Sequence, residues 1–137
     1  MGHSCNLENI WEDMLVESTG ATPVYEFYPN GNVYSVSYYK DDKLHGGDYE
    51  PAQKYFYIDG KTKSESFFEN GKQHRHGDKP AMITYYESGN VKSEGYYKND
   101  KLHREDDKPA ILNYSEGGDV IGKRYFLKGR EYILKTV

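Results

Sequence analysis

The sequence predicts an all-β fold, a repetitive antiparallel array of β-hairpins with about eight strands in four units, preceded by one short N-terminal α-helix. Three observations carry that prediction. Pro23, Pro51, Pro80 and Pro109 fall 28, 29 and 29 residues apart, so nearly the whole chain after Ala21 is periodic. Each period places a turn glycine, Gly31, Gly60, Gly89 or Gly118, between two short runs rich in β-formers. With 15 Tyr, 5 Phe and one Trp, the interior has to be built from rings with a polar tip, which suits thin layers better than a thick aliphatic core.

Residues 1–21 stand outside the period as a tail and an amphipathic segment. In "NLENIWEDMLVE", residues 6–17, Leu7, Ile10, Trp11, Met14 and Leu15 share one helical stripe, Asn6 can cap the start and residues 18–20 can end it. A repeat array has to cover the edge and apolar face at each end, so this helix is expected to cap the first hairpin. The sharper reading makes Leu7, Trp11 and Met14 anchors for a groove on a partner. Asn6 stands where an N-myristoylation motif needs Ser or Thr, so Gly2 predicts no lipid.

Residues 22–137 divide into four tandem repeats, 23–50, 51–79, 80–108 and 109–137. The "NG", "DG", "SG" and "GG" pairs at the first turn supply positive φ for a tight hairpin, and a second Gly or Asn/Asp turn follows the second strand. Strict alternation sends Val33, Ser35, Ser37 and Tyr39 to one face, as it does Thr62, Ser64, Ser66 and Phe68, and Val91, Ser93, Gly95 and Tyr97. Three columns are aromatic in all four units: Tyr28, Phe56, Tyr85, Tyr114; Tyr38, Phe67, Tyr96, Tyr125; and Tyr39, Phe68, Tyr97, Phe126. They read as core and cross-strand stacking. "KLHREDDKPA" is then the charged connector between hairpins, closed by a proline that cannot donate to a ladder. The last unit ends "REYILKTV", a terminal strand whose outer edge is an expected homodimer contact, as is the helix.

The turn glycine, the strand ending in paired aromatics, and the "NGK" or "NDK" and "LH" that follow resemble the MORN repeat superfamily. The resemblance covers residues 23–132 and rests on "YYKDDKLHG", "FFENGKQHRHGDKPA" and "YYKNDKLHREDDKPA". The long 29-residue unit with its "LHRE-D-PA" connector is similar to repeats in proteins of large DNA viruses of amoebae and in bacterial MORN-repeat antitoxin-like proteins. The resemblance implies an elongated, non-catalytic sheet that serves protein association and scaffolding, with phospholipid binding in some members.

The residues themselves point to no enzyme, no cofactor and no metal. His45, His74 and His103 recur once per unit, but units of two strands set equivalent histidines about 10 Å apart, too far for one zinc ion. Only His74 and His76 can chelate locally, and no third ligand is evident in the sequence. The carboxylates are interspersed with Lys on wet strands, and nearly every polar feature occurs three or four times, whereas an active site is one asymmetric constellation.

A net charge of -4 offers nucleic acid little attraction. One cysteine, Cys5, cannot form an intrachain disulfide, which predicts a reducing, cytoplasmic setting, the host cytoplasm if the chain is viral. The expected function is a non-enzymatic protein-interaction module or scaffold, with a protein partner at Leu7, Trp11, Met14, Tyr39, Phe68 and Tyr97. Two other readings are an antitoxin or immunity-type inhibitor of a toxic enzyme, and a scaffold that binds a phospholipid membrane surface.

Overall fold

The computed structural model describes residues 20–137, and the predicted helix at 6–17, with Leu7, Trp11 and Met14, lies outside them. The first unit holds β1 (Thr22–Phe27), β2 (Val33–Lys40) and β3 (Lys43–Leu44). The second holds β4 (Gln53–Phe56), β5 (Thr62–Ser66), β6 (Phe68–Glu69) and β7 (Lys72–Gln73). The third repeats it with β8 (Met82–Tyr85), β9 (Val91–Gly95), β10 (Tyr97–Lys98) and β11 (Lys101–Leu102). The fourth holds β12 (Ile111–Tyr114), β13 (Val120–Leu127) and β14 (Arg130–Tyr132).

The first turn of each unit is a three-residue loop. Gly31 N–H donates to Tyr28 C=O (2.9 Å) and Tyr28 N–H to Asn32 C=O (2.8 Å), with Gly31 at φ 90°. That is a type I turn closed by a left-handed residue, which explains the glycine. Each second strand then carries one extra residue, and the register slips between Glu26 and Phe27, Tyr55 and Phe56, Thr84 and Tyr85, and Asn113 and Tyr114.

The second turn decides how many strands there are. Its two central residues both have positive φ: Asp41 and Asp42, Asn70 and Gly71, Asn99 and Asp100, Lys128 and Gly129. Two such residues make a type I′ turn, which matches the twist of flanking strands and folds the chain straight back. Each unit therefore has a short returning strand, β3, β7, β11 or β14; with the second strand of units two and three broken at Phe67 and Tyr96, the described residues contain fourteen strands where the sequence predicted about eight.

The long strands form one antiparallel sheet in the order β1-β2-β4-β5-β8-β9-β12-β13-β14, with β3 on β2. Consecutive units meet through three residue pairs each, for example Ser35–Tyr55, Val36–Lys54 and Ser37–Gln53. A second set of ties runs along the first turns: Tyr28, Tyr57 and Tyr86 hydroxyls donate to the carbonyls of Phe56, Tyr85 and Tyr114 one unit on, at 2.6, 2.6 and 2.7 Å.

These ties correct one aromatic column. Phe27 pairs with Val33 as Phe56 pairs with Thr62, Tyr85 with Val91 and Tyr114 with Val120, so Phe27 and not Tyr28 belongs with Phe56, Tyr85 and Tyr114. The first unit lacks no residue: Gly31 is 29 residues before Gly60, and Pro23 stands where Ala52 stands in the next unit. Prolines gave the right period and the wrong phase for unit one.

The core is thin. Ala21, Val36 and Tyr38 form one buried cluster, with Tyr25 and Phe56 against it, and Tyr96, Ala110 and Phe126 form another. Ala52, Ala81 and Ala110 are 0% exposed, and their carbonyls accept the N–H of Tyr38, Phe67 and Tyr96 at 2.8, 2.7 and 2.8 Å. The "PA" of each connector is thus a packing requirement: a methyl group is what fits beneath a ring at that point.

Tyrosine hydroxyls in the half-buried layer are met by carboxylates, Tyr85 by Glu65 and Tyr114 by Glu94, both at 2.5 Å. Burial, and then the bond to Glu94, push Tyr114 up to about 12 from its ordinary 10.0. A raised phenol contributes stability that is complete below pH 10.0 and lost as pH rises toward about 12, because the unfolded chain ionises first. Glu94→Gln is expected to bring the Tyr114 transition down toward 10.0, read by ultraviolet phenolate titration. An unchanged titration would count against the Tyr114–Glu94 bond.

Candidate functional site: the connector rail and the aromatic strand ends

The three connector histidines share one structural task. His45 Nδ1 accepts the backbone N–H of Asn70 (3.2 Å), His74 Nδ1 that of Asn99 (3.1 Å), and His103 Nδ1 that of Lys128 (2.8 Å). Each donor is the first central residue of the next unit's type I′ turn, a backbone N–H that the turn itself leaves free. The second central residue ties to the same connector: Gly71 N–H to Leu44, Asp100 N–H to Gln73 and Gly129 N–H to Leu102 carbonyls, at 2.8, 2.9 and 2.8 Å. Histidine recurs because each hairpin tip needs an acceptor one unit back. Tyr132 stands at this position in the last unit, which has no successor among the described residues.

Next to each of the last two histidines an arginine closes the connector. Arg75 lies 3.8 Å over the Phe67 ring and donates to the carbonyls of Asp48 (2.8 Å) and Pro80 (3.1 Å). Arg104 lies 3.8 Å over Tyr96 and donates to Pro109 C=O (3.0 Å) and to both oxygens of Asp78 (2.8 and 3.3 Å). A planar guanidinium can stack and fork at once, which lysine cannot. Hydrogen bonding from Arg104, followed by that from Lys108, lowers Asp78 to about 2.

One polar group escapes the repetition. His74 Nε2 lies 3.4 Å from His76 Nδ1, and His76 Nε2 lies 2.7 Å from Glu69 Oε2. One ligand atom from each of Glu69, His74 and His76 falls within 4.8 Å of the others. The third ligand absent from the sequence reading is therefore present, delivered by β6 across the type I′ turn seven residues before His76. Burial first, then His76 and Lys98, hold the His74 imidazole below its usual range. A cavity of about 110 Å³ opens beside the group, lined in part by His45, Asp48 and Phe68.

The two neighbouring aromatic columns part company in space. Tyr38, Phe67 and Tyr96 are buried, while Tyr39, Phe68 and Tyr97 stay half-buried. Tyr39 continues the face of Ser35 and Ser37 on β2; the Tyr97 ring lies against Gly95, where an added Cβ would meet it at 2.9 Å. The sequence reading passed over Tyr34 and Tyr55, whose rings meet edge to face at 5.4 Å, with Tyr28 edge-on to Tyr34 at 5.2 Å. Their signal was the extra residue after the first turn, which turns Tyr34 across its neighbours. In the fourth unit Phe126 is buried and Tyr125 instead packs on Tyr132 (5.8 Å).

An array of like units, tied along two rails and carrying no repeated catalytic group, defines a β-repeat scaffold. A family model described as a MORN repeat variant matches residues 23–41 and 81–99. The two matches span the same hairpin of the first and third units, and by their limits they set Pro23 level with Ala81, the phase that the sheet register also gives. No curated protein and no solved structure matches the chain. Among the described residues, no helix is long and apolar enough to cross a membrane.

Proposed function

We propose that the chain is a non-enzymatic protein-interaction scaffold whose partner seats on the face presented by Tyr39, Phe68 and Tyr97. One observation carries this reading: these rings recur with the repeat, as Tyr38, Phe67 and Tyr96 do, yet they are not taken into the core. Half-open aromatics on a rigid backbone lose little side-chain freedom on binding and supply large contact area, which is what interface anchors need. The N-terminal stripe of Leu7, Trp11 and Met14 is a second set of partner anchors in this reading, and an acidic chain of this kind also suits inhibition of a basic enzyme.

The test is site-specific photocrosslinking in host lysate, with the photoreactive residue at Phe68 in one protein and at exposed Lys123 in another. A protein captured from position 68 and absent from position 123 supports the aromatic face. Equal capture from both, or capture from 123 alone, counts against it. Trp11→Ala carried through the same capture reports whether the N-terminal stripe contributes.

A specific feature supports a second reading. Lys43, Lys72, Lys101 and Arg130 occupy the same exposed position of the four returning strands, a row of cations at the unit spacing. Such a row fits an anionic phospholipid surface. Vesicle co-sedimentation that appears with anionic lipid and fades with salt would favour it, and salt-insensitive or absent binding would remove it. Self-association belongs to the same reading of open edges. Gly122, Lys123 and Arg124 correspond to residues that pair with the next unit in β9, and no strand among the described residues pairs with these three on that side, where β14 takes only Tyr125, Phe126 and Leu127. Sedimentation at rising concentration tests it, with a persistent monomer as the contrary result.

A further inference from the structure

We propose that Glu69, His74 and His76 bind one divalent transition-metal ion of the zinc class, a site that goes beyond the scaffold reading. The first argument is asymmetry. At the position of Glu69 the other units carry Lys40, Lys98 and Leu127, and at that of His76 they carry Gly47, Glu105 and Leu134. The second unit alone carries a carboxylate at the first position and an imidazole at the second, and those two side chains are in contact at 2.7 Å. A His–carboxylate contact recurs as His103–Glu105 at 2.7 Å, but only in the second unit does a second imidazole join it.

Geometry is the second argument. Two nitrogens on one tetrahedral zinc, each at about 2.1 Å, lie about 3.4 Å apart. His74 Nε2 and His76 Nδ1 are 3.4 Å apart, with the rings nearly perpendicular at 78°. Glu69 reaches the same group, either as the third ligand or as the carboxylate that accepts the far N–H of His76 and fixes its ring. Asp48 Oδ1 accepts the His76 backbone N–H (3.3 Å), which adds negative charge beside the group. The cavity of about 110 Å³ leaves space for a water on the metal. Two imidazoles and one carboxylate favour zinc and its neighbours in the transition series over magnesium or calcium, which take oxygen.

Metal binding has a structural consequence here. Without metal, His74 Nδ1 accepts the Asn99 N–H, so its proton sits on Nε2 and points at His76. Coordination of the neutral ring through Nε2 moves its single proton to Nδ1, with none released, and Nδ1–H then faces the Asn99 N–H, a donor. The ion therefore opens the tie from His74 to the third unit's hairpin tip.

The test is calorimetric titration of the full chain with zinc chloride, alongside Glu69→Lys, His76→Asn and His103→Asn. Glu69→Lys installs the residue of the first and third units, and circular dichroism checks each fold. One equivalent is expected to bind, weakened about tenfold or more by each of the first two substitutions and unchanged by the third. The Asn99 amide resonance should shift on saturation. No saturable binding overturns the proposal. So does affinity that survives Glu69→Lys and His76→Asn, which would assign the ion to other groups, His3 and Cys5 included. An Asn99 amide that stays put at full occupancy removes His74 from the site.

Discussion

Gly46→Arg, which installs the residue that the second and third connectors carry at this position, is expected to destabilise the protein by about 3 kcal/mol. Repeat logic predicts the opposite, since Arg75 and Arg104 each stack on a ring and bridge their connector. The first connector is drawn in on itself. A Cβ at Gly46 would stand 2.6 Å from the Glu50 carbonyl oxygen and 3.0 Å from the Ala52 nitrogen. Both are backbone atoms, and Ala52 is fully buried beneath the sheet, so neither can give way as a flexible side chain would. Urea denaturation would measure the loss as a lower midpoint at unchanged slope. A midpoint equal to or above that of the parent would mean that the first connector can open to the geometry of the others.

Arg104→Ala carries the second large effect, about 2 kcal/mol, because it removes a stacked cation and three charge-assisted bonds at once and leaves Asp78 to Lys108 alone. Arg104→Lys should recover less than half of it, since an ammonium cannot stack on Tyr96 while it bridges Asp78 and Pro109. The pair with Asp78 also sets a pH dependence. Asp78 is depressed from 3.8 to about 2, so its contribution is complete above pH 3.8 and lost as pH falls toward 2. Its side chain is 48% exposed, and solvent screening holds that part to about 1 kcal/mol. The gap between parent and Arg104→Ala should narrow over this window when both are followed by thermal unfolding. A gap that stays constant down to pH 2 would assign the arginine's effect to stacking on Tyr96 and the bond to Pro109, with nothing from Asp78.

Much of the architecture was legible in the chain because its causes are local. Gly31, Gly60, Gly89 and Gly118 announce the first turns since only glycine accepts their φ without strain, and alternation in "VKSEGYY" sets side chains on opposite faces. The returning strands were missed because "DD", "NG", "ND" and "KG" were read as a turn that leads straight into the connector "KLHREDDKPA". Two consecutive positive-φ residues make a reversal, and a reversal makes another strand. The histidines were seen to recur without their reason being seen, since the group each one satisfies lies 25 residues further on, for example Asn99 for His74. His76 was read as able to chelate beside His74, but Glu69 was not singled out, since it lies seven residues before His76 and across a turn.

What the sequence determined by itself is the repeat, its period, its turns and its all-β class, because each rests on backbone preferences and side-chain alternation within a few residues. What the tertiary structure decided is everything that depends on one unit lying against the next. That includes the phase of the first unit, which the 28-residue spacing concealed and the pairing of Phe27 with Val33 revealed. It includes the choice between twin aromatic columns, where Phe67 goes under the sheet and Phe68 stays half open. And it includes the meeting of Glu69 with His74 and His76. Alternation assigns a side chain to a face, but only the stacking of the units settles whether that face is covered and which side chains meet on it.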